Sequence, residues 1–463
     1  MWKKIGLFVV AGALPALLYG VVWLQTAAHV GAGFAAKVAC SLVFDSGQSV
    51  AGAVTDYIGA ETAPLGALLR FSASGHAAEG VALGVVRTRA IHRPGLGCTL
   101  LPDGDAGLAL PRGLDAQRPQ RDPAAPWPLG AAGPAGLAPA EIEAAIDRAF
   151  AEPPAATQHV RRTAAVVIAH DGRLVAERYA PGYGPATPML SWSMAKSVLA
   201  ALVGIAVGGG RLALRERAPV PEWAADDDPR RAITLDQLLR MSSGLGWDEH
   251  YGAVNDVSRM LFTASDTGAF AARSPLIAAP DTVWSYSSGT SNIVARILRE
   301  LAGNDLAAMV RAANERLFDA AGMTSAFFEP DVSGSFIGSS FAFMTARDWA
   351  RFGELHRRDG VWNGRRILPE GWVRYVTTPT PAAPDGQYGA HWWLNAGDPK
   401  DPARRPWPGL PTDTYAARGH SGQYVIVVPS AKLVVVRLGL SEPDDGDDGA
   451  AELVAATIAA LSR

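Results

Sequence analysis

SWSMAKSVLAALVGIAVGGG, residues 191–210, sets a hydroxyl and an amine one helical turn apart at the head of an apolar segment. From Ser193 to Val207 the residues are apolar nearly all round, and Gly208-Gly209-Gly210 ends the run. A helix apolar on every face is a buried one. Ser193 is therefore expected in the first turn of a buried helix, where free backbone N–H groups and the helix dipole favour negative charge. Three residues on, Lys196 shares its face and reaches its hydroxyl. Burial lowers a lysine's pKa, and a desolvated amine takes the proton that keeps a serine hydroxyl a poor nucleophile. Arginine cannot do this, and arginine carries most of the positive charge here. Lys3, Lys4, Lys37, Lys196, Lys400 and Lys432 are the only lysines. The pattern predicts Ser193 as nucleophile and Lys196 as its base.

Upstream, residues 163–170 form a β-rich apolar run, Asp171-Gly172 a tight turn, and residues 173–180 a return strand. Downstream, residues 233–241, 292–301, 306–321 and 346–356 are helical by periodicity. Residues 424–428 and 433–440 form a late apolar hairpin, and 450–461 a closing helix. Early strands, inserted helices and late strands predict an α+β fold: an antiparallel sheet covered by helices, with a helical lobe between.

The N-terminus has a different chemistry. Met1-Trp-Lys-Lys4 precedes residues 5–24, an uncharged and mostly apolar stretch of a length that spans a bilayer. Residues 1–28 are expected to be an uncleaved membrane anchor, with Lys3 and Lys4 in the cytoplasm and the catalytic domain periplasmic or extracellular. The alternative is a signal segment cut at Thr26-Ala27-Ala28. Cys40 and Cys98 are the only cysteines; in an exported chain they are expected to pair, the alternative being two buried thiols. Lys37 just before Cys40 fits a lipoprotein processing site poorly. Residues 29–116 mix short apolar runs with Gly and Pro turns and read as a small accessory region. Residues 117–140, dense in Pro, Gly and Ala, read as a linker, and 141–463 as the catalytic domain. A net charge of -3 supplies no basic field for nucleic acid.

Three motifs, in order, carry a family resemblance: Ser193-Met-Ala-Lys196, Tyr286-Ser287-Ser288, and His420-Ser421-Gly422. Residues 160–463 resemble the serine β-lactamase and penicillin-binding-protein superfamily, in its branch of class C β-lactamases, esterases and 6-aminohexanoate-dimer hydrolases. Met241-Ser-Ser-Gly-Leu245 is similar to a further loop of that family. The resemblance implies a β-lactamase/transpeptidase-like fold. It makes Tyr286 a proton relay beside Lys196, the alternative being a core tyrosine. It makes the backbone N–H groups of Ser193 and Gln423 an oxyanion hole. Ser288, His420, Ser421 and Gly422 are then substrate-binding positions, Gly422 admitting the substrate backbone to a strand, while a lone His420 is otherwise structural. No cofactor and no metal are implied.

Two departures bear on the substrate. Ser288 replaces the usual asparagine, and His420 replaces a lysine that would meet a substrate carboxylate; histidine is only partly charged near neutrality. Both argue for a small ester or amide rather than a β-lactam or D-alanyl-D-alanine. A D-alanyl-D-alanine carboxypeptidase or β-lactamase remains the alternative enzyme, and a non-hydrolytic penicillin-binding sensor or envelope-interaction protein the alternative of another class. Trp192, Trp284, Trp392 and Trp393 lie near the motifs as cleft walls or as core. Asp248, Glu249 and His250 read as a solvated loop rather than a metal cluster. No G-x-S-x-G elbow occurs, which removes an α/β-hydrolase.

Overall fold

Three runs rich in valine and isoleucine supply the middle of the main sheet. The computed structural model describes residues 2–104, 114, 118–136, 138–154, 159–252, 254–398, 400–401, 403–442 and 448–462. Its main sheet has six strands, all antiparallel, in the spatial order Trp393–Leu394, Tyr415–Gly419, Gln423–Val428, Leu433–Gly439, Thr163–His170, Arg173–Tyr179. The first and last strands of the catalytic domain thus lie side by side, with Ile168 opposite Val435.

Alternation along each strand splits the apolar residues between two faces. Val166, Ile168, Ile426 and Val435 turn to helices Ala140–Phe150 and Ala450–Leu461. Val167, Val425, Val427 and Val434 turn to helices Met194–Gly208 and Ala346–Arg357. Covering both faces explains why these strands read as continuous apolar runs. The helical lobe intervenes, with Leu235–Leu239, Asp256–Thr263, Thr267–Ala272, Ser288–Leu301 and Leu306–Ala313. The α+β architecture expected from the sequence is the one observed.

The N-terminal boundary is not. One helix runs unbroken from Trp2 to Cys40, across the expected break at residue 28. The stretch Leu17–Asp45 is long and apolar enough to cross a membrane, yet from Ala28 on it is mostly buried in the protein. Leu17, Leu18, Tyr19, Val21, Val22 and Leu24 are exposed, whereas Ala32, Ala35, Ala36, Val38 and Ala39 are fully buried. Small residues make this possible: alanine keeps the helix, and Gly33 and Gly80 let backbones touch. A Cβ on Gly33 would strike the Phe262 carbonyl, and one on Gly80 the Ala32 carbonyl.

This half-helix lies across a four-stranded antiparallel meander, Leu69–Ser74, Ala77–Ala82, Val86–Arg93 and Gly97–Leu101. Cys40 and Cys98 are disulfide-bonded, Cα to Cα 6.0 Å, tying the helix end to the last strand. Buried Lys37 pairs with Glu329 at 2.6 Å, and Glu329 also accepts from Ser41 Oγ and the Cys98 amide. The accessory region is therefore clamped to the catalytic domain.

The expected linker is likewise no free tether. Within residues 118–136, Arg118 binds Asp319 and Arg121 binds Asp348. Trp127 is buried, and the Pro128 and Gly130 carbonyls accept from the buried Arg351 guanidinium. Pro and Gly supply the turns, and arginine clamps hold the strap against the helix Ala346–Arg357.

Candidate active site

The strand Pro188–Leu190 delivers the chain to Ser191-Trp192-Ser193, where it turns into the helix Met194–Gly208. Ser191 Oγ donates to the Trp192 carbonyl and accepts from the Ala342 amide, locking the turn. Trp192 adopts φ +44°, a costly conformation for a bulky residue. Packing holds it: its ring lies against Phe341, Tyr251 and His420 at 5.6, 5.9 and 5.5 Å between centroids. In the stretch 189–201 every residue but Ser193 is buried, so Ser193 is where this closed core reaches toward solvent.

Lys196 is 1% exposed. Its Nζ stands 3.0 Å from each of Ser193 Oγ, Ser288 Oγ and the Ser339 carbonyl oxygen. Asn292 fixes that carbonyl by accepting from the Ser339 amide. Tyr286 presents its ring face to Nζ, 4.8 Å from centroid to nitrogen. Burial pushes the Lys196 amine down to about 8, the carboxylate of Glu249 opposing it. His391 donates from Nδ1 to the Lys196 carbonyl and accepts from Ser291 at Nε2; burial, with Lys196 beside it, pushes its pKa down to about 3 and keeps it neutral.

Glu249 corrects the sequence reading. As a residue it is only half-buried, but its carboxylate is enclosed. It accepts from Ser288 Oγ at 2.5 Å, the Ser288 amide at 2.7 Å and Trp247 Nε1 at 2.6 Å. Burial raises its pKa, with Lys196 opposing. Asp248 and His250 pair with each other nearer the surface, where the solvated-loop reading holds. Ser288, expected to touch substrate, is fully buried between Lys196 and Glu249.

The third motif sits in a turn, not a strand. Gly422 has φ +77°, and a Cβ there would strike the Arg437 guanidinium, so its glycine serves the turn rather than substrate approach. Gln423 lies one strand behind, its side-chain amide donating to the His420, Ser421 and Gly439 carbonyls. The residue beside the Ser193 amide is Gly419, where a Cβ would come within 3.2 Å of that nitrogen and overlap the Ser191 carbonyl.

His420 and Ser421 face the accessory region. His420 Nε2 lies 2.9 and 3.0 Å from the two Glu61 carboxylate oxygens, and Ser421 Oγ donates to Glu61 at 3.1 Å. Tyr57, from the same short helix Thr55–Glu61, accepts from Trp192 Nε1 at 2.8 Å. Of the four tryptophans, Trp192 and Trp392 are core, while Trp284 and Trp393 wall Tyr286 at 6.5 and 5.4 Å. The structure thus brings together Ser193, Lys196, Tyr286 and Ser288, adds Glu249 and Glu61, and sets Gly422 and Gln423 aside. The signal for Glu249 was its place just after the Met241–Leu245 loop; nothing in the sequence links Glu61 to the site.

A family model described as Beta-lactamase matches residues 146–459. A 6-aminohexanoate-dimer hydrolase of Paenarthrobacter ureafaciens is 24% identical over 298 residues, covering 56% of this chain and 72% of the relative. A solved penicillin-binding protein homologue from Caulobacter crescentus superposes with a TM-score of 0.53 at 17% identity, over 70% of this chain and 99% of its own. A family VIII carboxylesterase structure gives a TM-score of 0.51 at 15% identity, over 70% and 99%.

Proposed function

The chain belongs to the beta-lactamase family and is a hydrolase; on that premise we propose that it cleaves an ester or amide through an acyl-enzyme on Ser193, held at a membrane by the helix upstream of Leu24. The bonds around Lys196 support this most strongly. A neutral amine has two N–H donors and one lone pair. The Ser339 carbonyl can only accept, and Ser288 Oγ must accept because its own proton goes to Glu249. Both N–H groups are thereby used, and the lone pair faces the Ser193 hydroxyl, 3.0 Å away. With its pKa near 8, Lys196 has a substantial neutral fraction at mild pH.

In the first step Ser193 Oγ bonds to the acyl carbon as its proton passes to Lys196. The Tyr286 ring face and the Glu249 carboxylate stabilise the cation so formed. The oxyanion is held by the Ser193 N–H and a backbone N–H of the Gly419–His420 segment, which replaces Gln423 in that role. The tetrahedral intermediate collapses, the bond to the leaving group breaks, and Lys196 with Tyr286 returns the proton to it. Water then attacks the acyl carbon and frees Ser193.

Glu61 favours esters and neutral amides over β-lactams and D-alanyl-D-alanine. A substrate carboxylate directed at the third motif would meet a carboxylate already bonded to His420 and Ser421. The test uses the full chain and Ser193→Ala with a fluorophosphonate probe, p-nitrophenyl butyrate and a chromogenic cephalosporin. Labelling and butyrate turnover are expected in the wild type alone. Equal labelling of the variant would remove Ser193 as nucleophile, and fast cephalosporin turnover would reverse the substrate preference.

A further inference from the structure

Between the N-terminal helix, the meander and the catalytic domain lies a cavity of about 480 Å³. Along the helix it is lined by Leu24, Ala27, Ala28 and Gly31, the last in contact with Leu69. Leu68, Leu69, Leu83 and Phe262 form apolar walls. The cavity begins at Leu24, where the exposed apolar stretch from Leu17 ends. Leu68 and Leu83 at its rim are 49% and 38% exposed, and Val85, two residues beyond Leu83, is 77% exposed. An apolar mouth edged by bare leucines is costly in water and favourable against lipid.

The opposite end is polar, formed by Glu61, Tyr251 and His420. Tyr251 stacks on His420 at 4.9 Å, and both rings pack on Trp192, the residue before the nucleophile. The cavity therefore runs from the point where the helix would leave a bilayer to the third motif of the active site.

We propose that this cavity holds the hydrocarbon chain of a membrane amphiphile, and that the hydrolase acts on acyl esters or amides of such amphiphiles. This rests on Ser193 as nucleophile and on the span upstream of Leu24. The acyl chain lies along Ala27, Ala28 and Gly31 and leaves the cavity at its polar end, past Tyr251 and His420, toward Ser193. Each methylene buried adds a factor of about four to kcat/KM until the cavity is full.

The test reconstitutes the full chain in lipid nanodiscs and measures kcat/KM on p-nitrophenyl esters from acetate to dodecanoate. The wild type is expected to climb steeply with chain length. Ala27→Phe, which fills the cavity, is expected to keep the acetate rate and lose most of the climb; Leu68→Glu, at the exposed rim, is expected to depress the long esters selectively. A flat wild-type profile with good acetate turnover, or an unchanged climb in Ala27→Phe, overturns the proposal while leaving the serine hydrolase intact. Binding of dansyl-labelled undecanamide, which carries no carboxylate to meet Glu61, to Ser193→Ala gives a readout free of turnover. Saturable binding lost in the Ala27→Phe double variant supports the cavity even if no ester is cleaved, and binding unaffected by Ala27→Phe overturns it.

Discussion

Replacing Glu249 by glutamine isolates one electrostatic term. Lys196 Nζ lies 3.0 Å from Ser288 Oγ, and Glu249 Oε1 a further 2.5 Å on, so the two charges are at most about 5.5 Å apart. At an effective dielectric of about 20 their attraction is about 3 kcal/mol, or about two pH units on Lys196. Glutamine can keep a carbonyl oxygen on the Ser288 hydroxyl, so the lone pair stays aimed at Ser193, while its NH2 then meets the Ser288 amide and Trp247 Nε1 and costs stability. The acid limb of kcat/KM for p-nitrophenyl butyrate is expected near pH 8 in the wild type. In Glu249→Gln it should move down by about two units. Glu249→Ala removes the acceptor as well, frees the Ser288 rotor, and should lower the plateau by about tenfold or more. The assay is a pH–rate profile paired with fluorophosphonate labelling at each pH. An acid limb that stays put in a glutamine variant still labelled at Ser193 would refute the coupling.

Three further outcomes follow from the same geometry. Lys196 has a folded pKa of about 8 against 10.5 unfolded, so the unfolded chain binds more protons between those values and stability rises with pH there. Lys196→Met should therefore gain about 3 kcal/mol at pH 7, less the cost of the bonds it loses, with the gain fading from pH 8 to above 10.5; thermal unfolding at pH 7 and pH 10 reads this, and an equal gain at both contradicts it. Glu61→Ala should speed acylation by a carboxylate-bearing cephalosporin about tenfold or more while changing butyrate turnover little, since one like-charge contact of about 1.4 kcal/mol is removed. Converting Cys40 and Cys98 to alanine opens a loop closed over 58 residues and should cost up to about 4 kcal/mol in urea unfolding; no change in midpoint would mean that Lys37–Glu329 alone holds the clamp.

Where local sequence carried the information, the fold was legible. The continuous apolar runs of residues 163–170, 424–428 and 433–440 identified the sheet, and the three-residue spacing of Ser193 and Lys196 identified a contact that a helical turn favours. Long-range contacts hid the rest. Glu249 looked solvated because its burial comes from Trp247 and Ser288, one of them 39 residues away. Glu61 reaches His420 across 359 residues. The helix beyond residue 28 was missed because alanine and glycine register weakly as core, although their smallness is what lets it sit on the meander. The strap at 118–136 looked free because its partners, Asp319, Arg347, Asp348 and Arg351, lie far along the chain.

The unbroken helix from Trp2 to Cys40 turns a tether into an axle. A flexible linker would let the cleft roam over a hemisphere above its anchor point. A helix whose far end is bonded at Cys40 and paired at Lys37 leaves only tilt and spin about its own axis. With the upstream segment embedded as proposed, Cys40, where the helix is bonded to the fold, would stand about 24 Å along the helix from Leu24, at about 1.5 Å per residue. Molecules lying in or on the bilayer surface would then pass the cleft at a constant height. Each residue inserted just before Leu24 would lift the whole enzyme by about 1.5 Å and swing its face by about 100°.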